Sequence, residues 1–423
     1  MAGTDQSVLN GFFKDIWGQY VTLKEETSLI QRLFNFSTTD NLGGYFQEAV
    51  EVQSSHGTTI VGQVANATLL KNPVSLETEP AKIRGSIVYF SEWLDWATSM
   101  RAQTTKQAFA ESTKLLVSAC KKNAERTVEL LSLYGQNGLT TITSRTVLSG
   151  TQLELLCKLS EWATGMWEGM EGLRVQFYNG NTLVSSGADA DFNIYQIDSD
   201  RDNRLIFVEG TSTGITALST AINSNPNVIK LYMNNEGSRL NEPVGIHTIS
   251  GNLTDVLFNI NPTTWNQWKA NVLNVGGSLT FAKVQDGVAR VASRGFKGDM
   301  CLFVNWVSWT KLANDAASMR MTDSSYSRTE LDVGSEAIKF YCGTGIVEIY
   351  QHQYVKEGYA YLVPKDGIKR IGSTDVTFKW PMGNEIYFWP RPEYSQFELR
   401  AMTDQAPFTA HPKRFLRFEG IVN

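Results

Sequence analysis

The chain has 423 residues, and its 38 Lys and Arg against 43 Asp and Glu give a formal net charge of −5. A sum this near neutrality, with no long basic run, excludes a protein whose main work is neutralising phosphates. The 42% of hydrophobic residues and 11% of aromatics exclude a disordered chain, and the length allows two or three structural units.

The four cysteines, Cys120, Cys157, Cys301 and Cys342, stand far apart, so neither a disulfide framework nor a zinc ribbon is suggested, and a reducing cytoplasm is expected. The start, Met1 to Asp5, shows no basic region followed by an apolar stretch, and no apolar run nears the ~18 residues of a membrane span. The expectation is a chain with no standard secretion signal and no membrane crossing.

In chain order, Val8 to Phe34 carries Leu9, Phe12, Phe13, Ile16, Tyr20 and Leu23 at helical spacing, which predicts one amphipathic helix or two short ones. After Gly43 and Gly44 the period becomes two. Val50 and Val52 alternate with Glu51 and Gln53, Ser54 to Gly57 reads as a turn, and Thr58 to Val64 reads as the return strand of a hairpin. A second turn-rich stretch, Lys71 to Pro80, precedes an apolar strand at Ile87 to Phe90. The interval from Gly44 to Phe90 thus reads as an extended β excursion with little core of its own.

Arg101 to Tyr134 lacks Gly and Pro, and Phe109, Leu116, Cys120, Ala124, Val128 and Leu131 form an apolar stripe. This predicts a long helix of about 50 Å, ended by Gly135 and Gly138. Gln152 to Glu171 reads as a shorter helix, with Leu153, Leu156, Leu159, Trp162 and Met166 on one side. A β-rich region follows from Val175 to about Asn261, then helices at Thr280 to Ser293 and Ser308 to Met321. Short strands follow at Ile338 to Cys342, Ile346 to Tyr350, Tyr359 to Val363, Phe397 to Ala401 and Arg414 to Glu419. Helices mixed with mostly antiparallel strands give an α+β fold class.

Chemistry-bearing motifs are scarce. There is no phosphate-binding glycine loop, no GxGxxG, no GxSxG elbow and no HExxH. His56, His247, His352 and His411 are too dispersed for a local metal pair. Asp198, Asp200, Asp202, Asn203 and Glu209 occupy positions 1, 3, 5, 6 and 12 of a calcium-loop pattern, in which hard oxygens converge and a final Glu closes the site. The flanks Ile194 to Ile197 and Leu205 to Val208 read as strands where that motif needs helices, so an acidic hairpin turn is the plainer reading. No catalytic residue and no cofactor is expected. The tryptophan pairs Trp93 and Trp96, Trp162 and Trp167, Trp265 and Trp268, and Trp306 and Trp309 suit either sugar stacking or packing at cores and subunit interfaces.

The order of elements carries a resemblance. An N-terminal helical arm precedes Gly43, Gly44, Tyr45 and a hairpin; Ala108 and Phe109 open a long helix that closes with Leu133, Tyr134, Gly135, Gly138 and Leu139. Gly345 to Tyr350 and Val355 to Gly358 look like late strands. Glu398 to Arg400, Thr403 to Ala406, Pro412, Gly420 and Ile421 look like a final hairpin. In this order the sequence resembles major capsid proteins of tailed double-stranded DNA bacteriophages, which have the Hong Kong 97 type fold.

The resemblance implies an N-terminal arm (1–43), an extended loop (44–96), a peripheral domain with a spine helix (97–174), an axial domain (279–371) and a return to the peripheral domain (372–423). Residues 175–278 match nothing in the family and read as an insertion. It implies a self-assembling icosahedral head of hexamers and pentamers that encloses double-stranded DNA without sequence-specific contacts. It also implies scaffolding and portal partners, a decoration protein in some relatives, and a virion assembled in the host bacterial cytoplasm. The subunit interface would include Phe12, Phe13 and Trp17 of the arm and His56, Gly57 and Lys71 of the loop. The arm begins almost at Met1, which favours a separate scaffolding protein. No Asn and Glu match the family's Lys crosslinking pattern, so crosslinks are not expected. Two other readings stand beside this one: an encapsulin-type compartment shell, and a carbohydrate- or calcium-binding extracellular protein resting on the Trp pairs and the acidic loop.

Overall fold

A stretch of 29 residues without Gly or Pro, Lys106–Tyr134, forms the longest helix described, α2, about 43 Å from end to end. The computed structural model describes residues 28–38, 45–61, 72–95, 106–320, 337–378, 388–391, 393–394 and 396–423. Phe12, Phe13, Trp17 and Lys71 lie outside the described residues.

Val117, Cys120, Ala124 and Val128 of α2 are buried against one sheet, whereas Leu130, Leu133 and Tyr134 join a second, larger core. The helix therefore ties two parts of the molecule together. Its end is fixed by backbone approach. The Gly135 N–H donates to Leu131 O at 2.9 Å, its carbonyl accepts from the Gly245 N–H at 3.1 Å, and a Cβ at Gly135 would meet Pro243 O at 2.1 Å.

The described strands form four sheets. The first joins β1 (Phe36–Thr38), β17 (Lys369–Thr377), β19 (Gln396–Phe408), β18 (Phe388–Arg391) and β4 (Ser86–Asp95). β4 pairs along β19 from Ser86 to Asp95, and the sheet's inner face, with Phe90, Leu399 and Ala401, lies on α2. β1 pairs in parallel with β17, following a short helix α1 (Leu29–Leu33) whose Ile30 is buried. The arm expected at 1–43 to serve a neighbour thus ends, from residue 28 to 38, inside its own subunit.

The second sheet is the hairpin of β2 (Phe46–Gln53) and β3 (Glu77–Ile83). Here two expectations are corrected. The partner of β2 is residues 77–83 and not Thr58 to Val64: Phe46 pairs with Ile83 and Gln53 with Glu77, and His56 bridges Val74 beyond them. The hairpin base also has a core: Phe46, Val50, Val52, Ala81 and Ile83 are buried, the Lys82 N–H donates to Phe258 O at 2.9 Å, and Phe258 packs edge-on to Phe408.

The third sheet closes on itself. β5 (Thr140–Ser149), β6 (Gln152–Cys157), β10 (Leu205–Glu209), β9 (Phe192–Asp198) and β7 (Arg174–Asn179) follow in space, and β11 (Ile229–Met233) pairs with both β5 and β7. The result is a six-stranded antiparallel barrel with the short β8 (Thr182–Leu183) beside β7. α3 (Thr164–Trp167) lies between β6 and β7, and α4 (Ser212–Ser224), capped by the Thr211 side chain, packs on β5. The helix expected at Gln152 to Glu171 is therefore corrected: residues 152–157 alternate, with Leu153, Leu155 and Cys157 pointing inward, and pairing on both sides fixes them as strand. Because β5 and β6 belong to this barrel, the unit expected at 175–278 starts instead near residue 140.

The fourth sheet runs β12 (Asn271–Gly277), β20 (Leu416–Ile421), β16 (Ala360–Pro364), β13 (Met300–Val304), β15 (Gly345–Gln351) and β14 (Ala337–Cys342). Every residue of β13 and of β16 is buried, as continuous apolar runs require at a sheet centre. α5 (Ile246–Gly251) packs near β16 and β20, while α6 (Phe281–Ser293) and α7 (Trp306–Arg320) coincide with the two expected helices. The last strand, β20, lies in this sheet and not with α2, so the segment expected to return to the peripheral domain divides between two sheets. Among the described residues, no helix is long and apolar enough to cross a membrane.

Candidate assembly surfaces

Two of the four histidines are held in buried hydrogen bonds. His247 Nδ1 meets the Tyr361 hydroxyl at 2.8 Å, and His352 Nε2 meets Glu129 Oε1 at 2.8 Å. Since His352 Nδ1 accepts from the Tyr354 N–H, Nε2 carries the proton given to Glu129. Burial pushes the Cys120 and Cys301 thiols up to about 12, far from the thiolate that a nucleophile needs. Trp162 and Trp167 stack face to face with ring centroids 5.3 Å apart, fully buried, and the Trp268 indole N–H donates to Leu257 O. These rings are core, unavailable to a sugar.

The acidic loop is a hairpin turn. Asp198 Oδ1 accepts from the Asp200 N–H at 3.2 Å, Asp200 Oδ1 accepts from the Asp202 N–H at 3.1 Å, and the Asn203 amide donates to Asp198 Oδ2 at 2.7 Å. Leu205 pairs with Asp198 while Glu209 pairs with Asn193, which puts Glu209 about 13 Å along the strand from the turn. A chain in this register does not bring Glu209 back to close a ring of ligands. Among the described residues no group of three or more His, Cys, Asp or Glu could hold a metal ion. Arg201 instead reaches out of the turn to Glu357, 2.8 Å from Nε to Oε1, and anchors the barrel to the loop between β15 and β16.

What remains open is apolar surface. His56 and Gly57 are exposed where the hairpin narrows: His56 and Val74 exchange backbone hydrogen bonds of 3.1 and 2.8 Å, and Gly57 faces Pro73. Around this pinch Ile60 is 93% exposed, and Val61, Val74 and Leu76 are also exposed. Strand β4 supplies a second surface. Val88 and Phe90 point to α2, so Ile87, Tyr89 and Trp93 point the other way, 61%, 59% and 56% exposed. The Arg391 guanidinium lies between two rings there, 4.5 Å from the Trp93 centroid and 4.8 Å from that of Tyr394. Fully burying one such side chain yields about 1.5–3 kcal/mol, and aromatic and Arg side chains are the usual anchors of protein interfaces. Of this face, Trp93 was raised from sequence among the tryptophan pairs as a stacking, core or interface residue, whereas Ile87 and Tyr89 were read only as part of an apolar strand.

No family model matches the sequence, and no curated protein matches it either. Solved structures match the fold. A chain of the cyanophage A-1(L) capsid asymmetric unit aligns over 96% of this chain and 95% of its own, with a TM-score of 0.52 at 10% identity. The chain has a phage capsid fold. Below that level, the capsid of the native GTA particle aligns over 94% and 92% of the two chains at 8% identity and a TM-score of 0.46, and that of the Myoviridae phage XM1 over 95% and 96% at 7% and 0.43. The α+β fold of the Hong Kong 97 type expected from sequence is the observed one.

Proposed function

We propose that this protein is the major capsid protein of a tailed double-stranded DNA bacteriophage, assembling as hexamers and pentamers into an icosahedral head. The observation that carries this reading is alignment of nearly the whole chain on nearly the whole of one cyanophage capsid chain. The function is mechanical. A subunit that exposes Ile60, Val61, Val74 and Leu76 at a hairpin tip and Ile87, Tyr89 and Trp93 on a sheet face has apolar area to bury against copies of itself. Association costs about 4–15 kcal/mol in lost freedom, so several such contacts per subunit must act together. His56, Gly57 and Lys71, with the arm residues Phe12, Phe13 and Trp17, belong to this contact set in the proposal.

Scaffolding, portal and decoration proteins are the expected partners, the virion the expected location and the host bacterial cytoplasm the place of assembly. The head would enclose DNA without reading its sequence. Light scattering after size-exclusion chromatography, with negative-stain microscopy, tests the reading on the purified full chain. Hexamers, pentamers or closed shells are the expected result. A chain that stays monomeric at high concentration with its scaffolding partner present overturns it.

A further inference from the structure

Lys356 is fully buried where three parts of the molecule meet: the end of α2, the segment 158–162 that leaves β6, and the loop between β15 and β16. Its ammonium reaches one hydrogen-bond acceptor among the described residues, the Gly138 carbonyl at 3.0 Å, and lies 4.1 Å from the Tyr134 ring centroid. An ammonium has three donors, and burying it with one acceptor leaves the charged form poorly compensated.

The charged groups around it do not make up the difference. From segment 158–162, Glu161 attracts it, but Glu161 Oε2 already accepts from the Thr141 hydroxyl at 2.8 Å and Oε1 faces Lys158 at 3.7 Å. Lys158, Lys230 of β11 and Arg417 of β20 repel it. The remaining titratable groups of the junction, Tyr134 of α2, Tyr359, Tyr361 of β16 and His247 of α5, are held neutral by burial.

The same loop carries the bonds that dock the barrel. The Glu357 N–H donates to Trp162 O at 3.0 Å and the Gly358 N–H to Ser160 O at 2.9 Å. The Lys356 N–H donates to the Tyr134 hydroxyl at 3.0 Å, which itself donates to Tyr354 O at 2.8 Å. Lys356 sits in the centre of this zipper.

We propose that Lys356 makes the docking of the β-barrel on the β15–β16 loop proton-dependent, firm when the side chain is a neutral amine and weakened when it is an ammonium. Burial, partly opposed by Glu161, pulls its pKa down to about 7. An undocked or unfolded lysine titrates near ~10.4. Between these limits the open state binds more protons than the docked one, so docking strengthens as pH rises from about 7 and is at its weakest below that.

Hydrogen exchange followed by mass spectrometry on the unassembled full chain, from pH 6 to pH 9 with intrinsic rates divided out, tests this. Protection of the Glu357 and Gly358 amides is expected to be flat below about pH 7 and to rise by up to about tenfold per pH unit above it. Amides of β13, away from the junction, report global unfolding, which shares this linkage; protection of the Glu357 and Gly358 amides is expected to lie below theirs, which separates local undocking from global opening. Lys356→Met is expected to remove the rise. Glu161→Gln, which deletes the facing carboxylate, moves its onset to lower pH. A flat wild-type profile, a rise that survives Lys356→Met, or an onset unmoved by Glu161→Gln overturns the proposal; if Lys356→Met does not fold, the Glu161→Gln onset decides. None of these outcomes depends on whether the chain forms a capsid.

Discussion

Arg370 shows how a single side chain joins distant parts of this chain. It is almost wholly buried. Nε donates to Phe34 O at 2.8 Å, and Nη1 donates to Gln405 Oε1 at 2.8 Å and to Asp375 Oδ1 at 3.0 Å. The N-terminal segment, β17 and β19 are thereby held by one planar fork whose geometry a lysine does not reproduce. Arg370→Ala leaves a buried carbonyl and a carboxylate without their donor and is expected to cost on the order of 3–5 kcal/mol, read as a lower urea midpoint at unchanged slope. Glu129 acts similarly: its Oε1 accepts from the Ile30 N–H at 2.9 Å as well as from His352. In the sequence Glu129 is one more charge on the polar side of a helix. Its partners lie 99 and 223 residues away, and no local pattern encodes such a pairing.

At the scale of elements, the surfaces proposed for assembly have a distinctive signature. Ile60 contributes little to the subunit's own core, so Ile60→Asp is expected to change subunit stability by no more than about 0.5 kcal/mol, whereas Trp93→Glu also loses the Arg391 contact, about 0.5–1 kcal/mol. Each is expected to block hexamer and shell formation in the same light-scattering assay, and a variant that assembles normally removes its surface from the interface. The legibility of elements follows the same physics. α2, α6 and α7 were readable because an unbroken apolar stripe needs no outside partner to declare itself. Strands such as β15 and β16 were readable from short apolar runs bounded by turn residues, whereas β13 was not singled out although all five of its residues are apolar and buried. Residues 152–157 were not, since Leu153, Leu156 and Leu159 fit a helical period as well as Leu153, Leu155 and Cys157 fit a strand, and only the flanking β5 and β10 decide between them. The hairpin partner of β2 was missed for a related reason: register depends on a pairing across an excursion of more than twenty residues. Of the interface residues expected from sequence, His56 and Gly57 fall at the hairpin's pinch, whereas Phe12, Phe13, Trp17 and Lys71 lie outside the described residues.

For the molecule as a whole, two buried groups titrate near neutrality with opposite effects. Burial raises the Glu242 carboxyl to about 7, against the bonds it accepts from the Gln136 N–H and the Asn235 amide. Its folded value exceeds the ~4.3 of an unfolded Glu, so its contribution is present in acid and is lost as pH rises from about 4 through 7. Lys356 has the reverse sign, with stability recovered as pH rises from about 7 towards 10. His247, held neutral by burial, adds stability as pH rises towards 6.5 and so opposes Glu242 in acid. Glu242→Gln is expected to make melting temperature rise more steeply between pH 5 and pH 7 than in the parent chain, and Lys356→Met to flatten it above pH 7, measured by scanning calorimetry from pH 5 to pH 9.

The threading of the N-terminal segment into the middle of the subunit has a bearing on synthesis. Phe34 offers its carbonyl to a side chain that emerges 336 residues later. At about 5–20 residues per second, a ribosome takes roughly 17–70 s to deliver it. Throughout that interval Ile30 and Phe34 have no finished slot to fill, and the sheet completed by β20 waits for residues 416–421. The barrel strands, contiguous from Thr140 to Met233 with their two ends already paired at Leu231 and Thr140, face no such delay. A nascent chain of this kind acquires the barrel before the sheets on either side of it, and the apolar segment 29–34 is the stretch that a chaperone would have to shield in the meantime.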